Sequence, residues 1–153
     1  MLIETDLLFA HLKDKDWLKD LSEKILLGVS AGKLGTVYAS REVIHELYYL
    51  ASELSWKPSD SLSRIGALTQ IKNLEWLPTT TDTDLLALSL IATYGLTSVF
   101  DAYHAASCLL GDPERTIVST DTVYDKIQNI KRIEPQVVVK KLTLDADENN
   151  NEE

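Results

Sequence analysis

Apolar residues recur along the chain in two alternating rhythms. Short apolar runs at Leu2–Ile3, Leu34–Ala39, Leu74–Leu77, Thr116–Ser119 and Lys131–Ile133 predict strands. Between them the apolar residues fall three or four positions apart. Leu7–Leu12 reads as helical, and so does Trp17–Ala31, with Trp17, Leu21, Ile25 and Val29 on one stripe. Ser40 is placed to cap a helix running to about Leu54, and Pro58 opens another to about Lys72. Thr81–Asp84 has the form of a capping box, its helix running to Tyr94 and stopped by Gly95. Ser98–Asp101 repeats the form and opens a helix to about Leu110. Val123–Ile127 predicts one more short helix.

Strands that alternate with helices argue for an α/β domain with a mainly parallel sheet and right-handed crossovers. In such sheets ligands bind beyond the carboxyl ends of the strands. At 153 residues the chain fits one domain. We expect that domain to occupy residues 1–135. Residues 136–153 then form an extension whose acidic end, Asp145–Glu153, lacks the apolar residues needed for fixed structure.

Composition narrows the picture a little. Cys108 is the one cysteine, which excludes an intramolecular disulfide and a cysteine-based zinc site. Met1–Glu4 lacks the basic-then-apolar pattern of a signal peptide, and no apolar run approaches the ~20 residues of a membrane span. A cytoplasmic protein without a membrane partner is the expectation. The formal charge of −9 weighs against a nucleic-acid partner. Five of those acids lie in the last nine residues, and without them the charge is −4. A site that collects carboxylates around a cation adds its own local excess.

Four carboxylates matter for chemistry. Glu4 closes the first strand, Asp101 lies in the first turn of its helix, and Asp121 follows the Thr116–Ser119 strand. Glu46 sits one turn into its helix, beside the apolar stripe. In a parallel sheet these four can converge at one edge. Gathered carboxylates repel and raise each other's pKa unless a cation offsets them, and Mg²⁺ or Mn²⁺ is the natural oxygen-ligated choice. Such an ion activates water for attack on a phosphodiester. Taken singly, each acid also has a structural reading: Asp101 and Asp121 as helix caps, Glu46 as a helix surface residue, Glu4 as a solvated strand end. Spacing alone reaches an α/β domain with a possible acidic metal site.

The segment Tyr94-Gly95-Leu96-Thr97-Ser98-Val99-Phe100-Asp101-Ala102-Tyr103-His104-Ala105-Ala106 resembles the core motif of PIN domains. Glu4-Thr5-Asp6-Leu7-Leu8 resembles the family's opening motif, and Glu46-Leu47 its helical Glu-Leu. Ser119-Thr120-Asp121-Thr122-Val123-Tyr124 resembles its closing segment, and Lys131–Pro135 its end. The resemblance implies a three-layer α/β/α sandwich and Mg²⁺- or Mn²⁺-dependent cleavage of RNA. It carries the metal-binding and catalytic roles to Glu4, Glu46, Asp101 and Asp121, and a substrate-orienting hydroxyl to Thr120. The family usually has Asp where this chain has Glu4, and shortening Glu4 to Asp is expected to raise activity. Size and single-domain form resemble the VapC-type toxins of toxin–antitoxin pairs, which implies an antitoxin partner. The alternative is a catalytically weakened PIN-fold module that binds RNA or protein.

Other residues receive secondary readings. His11, His45 and His104 are read as packing or hydrogen-bonding residues before ligands, and Cys108 as a buried hydrophobe. Asp6 and Asp125 can reach a metal through water, and Asp6 can instead cap the helix that follows it. Tyr48, Tyr49 and Trp56 are read as packing residues before base-stacking ones. Apolar faces on the helices carrying Tyr48, Tyr49, Leu50, Trp56 and residues 58–72 predict a homodimer, with Arg41, Lys57 and Arg64 available to RNA phosphates. A phosphotransfer domain would need a lysine beside a nucleophilic Asp; Lys126 is the one loose candidate, and the core motif argues against it.

Overall fold

Leu2 and Ile3 point to opposite faces of a sheet and so open two separate cores. In the computed structural model, backbone is described for residues 1–150 and side chains for residues 1–144. The strands are β1 (Leu2–Ile3), β2 (Val37–Ser40), β3 (Leu74–Leu77), β4 (Thr116–Val118) and β5 (Lys131–Ile133). The helices are α1 (Thr5–Leu12), α2 (Lys19–Ser30), α3 (Glu42–Glu53), α4 (Pro58–Leu68), α5 (Thr81–Tyr94), α6 (Val99–Gly111) and α7 (Pro135–Asn150), with a 3₁₀ turn at Thr122–Lys126. All strand pairs are parallel, in the order β3-β2-β1-β4-β5. The architecture is the expected α/β/α sandwich.

The pleat divides the apolar residues. Ile3, Val37, Ala39 and Val118 pack against α1, α2, α3 and α4, while Leu2 and Ile117 pack against α5, α6 and the 3₁₀ turn. Because β1 lies between β2 and β4, the chain winds outward in both directions from it. The β1–β4 boundary is therefore the switch point, where a crevice opens beyond the strand ends. Registers Leu2↔Ile117 and Ile3↔Val118 bring the residues after β1 and β4 to the same level.

Several boundaries differ from the sequence expectation. The α2 helix begins at Lys19 rather than Trp17, because the Asp16 side chain accepts from Leu18 N at 2.8 Å and forms a turn ahead of it. Trp17 is left outside the helix. The second strand starts at Val37 because Gly35 turns the chain at φ +67°. The α5 capping box rests on Thr80, not Thr81: Thr80 accepts from Thr83 N, and Thr83 Oγ1 accepts from Thr80 N at 3.1 Å. Helix α3 begins at Glu42, but the capping bond is the expected one: the Ser40 hydroxyl accepts from Glu42 N at 3.2 Å, and Arg41 already has helical dihedrals. Gly95 ends α5 in the left-handed region, and the Ser98 hydroxyl caps α6 by accepting from Asp101 N, both as expected.

The C-terminal extension opens as a helix. Helix α7 runs to Asn150, and residues 151–153 of the acidic end lie outside the described residues. Val138 is buried in the core, and Leu142 lies over Gly28 of α2, where a Cβ would come within 2.8 Å of it. Apolar Val138, Val139 and Leu142 at helical spacing are the reason this segment is ordered. Among the described residues no single helix is long and apolar enough to cross a membrane.

Candidate active site

Glu4 is the first residue beyond β1. Its backbone N donates to Val118 O at 3.2 Å, so it is held at the level where β4 ends. The side chain turns back to cap α1, with Oε2 accepting from Asp6 N at 3.3 Å and from Ser119 Oγ at 3.1 Å. Ser119 Oγ in turn accepts from Asp121 N at 2.9 Å. Asp121 caps the 3₁₀ turn, with Oδ1 accepting from Val123 N at 2.8 Å. Its cap role and its place at the site coexist. Asp101 enters from the first turn of α6, and Glu46 from α3. Together with Thr5, Asp6 and Thr120, these four carboxylates line one cleft of about 360 Å³ at the switch point.

Crowding is written into the electrostatics. Burial, followed by the charges of Asp6 and Glu46, holds the Glu4 carboxyl well above the usual range. Burial and the Asp121 carboxylate push Asp101 up to about 6. Lys13 is the one base among the residues lining the cleft, and it is already paired with Asp16. Tyr124 lies fully buried, and burial plus Glu4 and Asp101 push its hydroxyl well up. That hydroxyl has no hydrogen-bond partner among the described residues. The gathered carboxylates are a set of hard oxygen donors that could hold a metal ion. Glu4, Glu46 and His104 offer ligand atoms within 4.8 Å of one another.

His104 packs and hydrogen-bonds, as its sequence reading has it. It is fully buried in α6, one turn after Asp101. Its Nε2 lies 2.6 Å from Glu46 Oε2 and 3.0 Å from Thr5 Oγ1, and Thr5 donates to the same Glu46 oxygen at 2.5 Å. A nitrogen facing a carboxylate oxygen at that distance is a donor, so we assign the Nε2–H form. His104 then orients Glu46 and is not a free ligand. The spacing Asp101-x-x-His104, one helical turn, was the signal available.

The remaining candidates separate clearly. Asp6 Oδ2 accepts from both Thr120 N (2.8 Å) and Thr120 Oγ1 (2.7 Å) while its Oδ1 accepts from Leu7 N at 2.7 Å, so Asp6 clamps Thr120 and also satisfies a first-turn N–H of α1. Asp125 is held by Arg132 at 2.9 and 3.0 Å and does not line the cleft. His45 bonds Glu42 on the surface, and His11 lines a different groove. Burial pushes the Cys108 thiol up to about 12, which makes it inert. Trp56 packs on Phe9, with Arg64 over its ring. Arg64 is further tied to Leu12 O at 2.7 Å, and neither it nor Arg41 or Lys57 lines the cleft.

A family model described as the PIN domain matches residues 1–130. No curated protein matches the chain significantly by sequence. Among solved structures, VapBC2 from Rickettsia felis, bound to a DNA fragment from their promoter, aligns with a TM-score of 0.66 at 18% identity, covering 87% of this chain and 96% of that one. Mycobacterium tuberculosis VapC20, a sarcin-ricin loop cleaving toxin, aligns at 0.62 and 15% identity, covering 85% and 98%. At these identities the likeness is one of fold.

Proposed function

The chain belongs to the PIN-domain family, and from that premise we propose that it is a metal-dependent endoribonuclease, the toxin half of a toxin–antitoxin pair. The observation that carries this reading is the convergence of Glu4, Glu46, Asp101 and Asp121, from four distant segments, on one cleft at the sheet's switch point. These four would hold Mg²⁺ or Mn²⁺, which when bound supplies neutralisation of phosphate charge and a more acidic water. His104 and Thr5 fix the Glu46 carboxylate. Ser119 fixes Glu4, and through its oxygen also the backbone before the 3₁₀ turn. Asp6 holds Thr120 at the cleft, where the Thr120 oxygen keeps acceptor capacity for a ribose hydroxyl.

The test is cleavage of a structured RNA in Mn²⁺ by wild type, Asp101→Asn and Asp121→Asn, with calorimetry of Mn²⁺ binding alongside. Loss of both cleavage and Mn²⁺ affinity in the variants supports the reading. Mn²⁺ binding without any cleavage by wild type would favour the binding-module alternative. The antitoxin part of the proposal is tested by a small DNA-binding protein encoded next to this one that co-purifies with it and blocks cleavage. A cytoplasmic location is part of the same proposal.

We also propose a homodimer. Tyr48 and Leu62 are exposed on the lining of an apolar groove of about 480 Å³ between α3 and α4, Tyr49 and Leu54 are exposed on and just after α3, and apolar surface of this kind marks contact faces.

A further inference from the structure

One wall of the acidic cleft is built by the end of α1 and by the connection to α2, through Phe9, Lys13, Asp16, Trp17 and Leu18. Trp17 is 74% exposed there. Leaving so large an apolar ring in water forfeits the stabilisation that burial would give. The backbone that carries it is nevertheless tightly held. Asp16 accepts from Leu18 N at 2.8 Å, and its carbonyl accepts from Lys19 N at 3.1 Å. Lys19 Nζ donates to His11 O at 2.8 Å and to Lys13 O at 2.7 Å. Lys13 pairs with Asp16, and its ammonium lies 4.6 Å from the centroid of the Phe9 ring. The segment is therefore rigid while its aromatic face is free, a combination that binds a flat partner at low entropic cost.

Resting on the nuclease reading, we propose that Trp17 is a base-stacking subsite, receiving an unpaired base of single-stranded RNA next to the phosphate that faces the carboxylates. Every base presents a π-face, so a tryptophan on the wall of a cleavage cleft grips the strand with little sequence demand. Lys13, on the same wall and paired with Asp16, is the one cation among the residues lining the cleft, and in this proposal it faces the strand's backbone. The cleft's dimensions favour this occupant. Its volume of about 360 Å³ is on the scale of one nucleotide unit.

The experiment is a fluorescence titration of the full chain with an adenine RNA hexamer in Ca²⁺, repeated with a hexamer that lacks bases. Trp17→Ala and Trp17→Phe are compared with wild type, and circular dichroism melts check the fold. The adenine hexamer is expected to quench wild-type emission. Trp17→Ala is expected to bind it about 5- to 100-fold more weakly, with a raised KM and little change in kcat, and Trp17→Phe to recover most of the loss. The base-free hexamer should bind wild type and Trp17→Ala alike. Equal affinity of wild type and Trp17→Ala for the adenine hexamer would overturn the proposal while leaving the nuclease reading intact. The same holds if Trp17→Ala weakens only a protein partner. Failure of wild type to bind or cleave any RNA would overturn both.

Discussion

His104 Nε2 stands 2.6 Å from Glu46 Oε2, so a fully buried ring on α6 sets the position of a carboxylate on α3. Substituting His104 by Leu leaves the Glu46 oxygen with Thr5 alone. We expect Mn²⁺ affinity and cleavage to fall about 10- to 100-fold. His104→Gln can still present a donor near the Nε2 position and should recover most of both. If the Leu and Gln variants lose activity equally, with equal melting temperatures, His104 does not act through that hydrogen bond.

Asp101 gives a pH-dependent prediction. Its folded pKa, about 6, lies above its ordinary 3.8. A raised acid favours folding while protonated; that contribution is complete below pH 3.8 and is lost as the pH rises through about 6. Asp101→Asn removes the loss. In chelator the variant should match wild type near pH 4 and melt about 2–4 °C higher near pH 7, a modest gap because the group is partly solvated. Mn²⁺ at pH 7 should raise the wild type and not the variant. A difference that stays flat from pH 4 to 7 would remove Asp101 from the crowded cluster.

Glu4→Asp now has the opposite expected outcome from the one its sequence position suggests. Glu4 reaches Ser119 Oγ at 3.1 Å, and Ser119 also holds Asp121 N. A shorter side chain still caps α1 but withdraws from Ser119. Cleavage should fall about 10- to 100-fold, since a ~1 Å misplacement costs on that order. Single-turnover kinetics check this, and a faster Glu4→Asp enzyme would mean that the longer arm is a defect.

The homodimer is read by light scattering. The chain of 17.1 kDa should scatter as about 34 kDa at micromolar concentration. The pair Tyr48→Glu and Leu62→Glu should reduce it to a monomer without lowering the melting temperature, because both side chains are more than half exposed. A wild type that scatters as a monomer refutes the interface.

The periodic elements were legible because burial is a local pattern. The 3.6-residue stripe of α3 and the β-run at Leu74–Leu77 could be read directly. The two caps Ser98 and Gly95 were equally readable from residue type. The start of α2 was not, since Asp16 ends the apparent stripe through a side-chain bond that no hydrophobic pattern records. That Glu46 could turn toward the strand ends was readable from its place beside the apolar stripe, but its coupling to His104 across 58 positions was not. Asp6 looked like a cap or an outer ligand. Its partner Thr120 is 114 residues away, and only the pairing of β1 with β4 brings them together.

That pairing bears on when the protein becomes active. β1 is the centre of the sheet and precedes β4 by more than a hundred residues, so one of its two edges stays open until Thr116–Val118 fills it. Contacts this remote in sequence form late in folding. A nascent or truncated chain can build the α1–α4 face and still hold only half of its acidic cleft. The cleft is thus completed only when Thr116–Val118 docks beside β1, and an RNA-cleaving activity of the proposed kind would wait on that step.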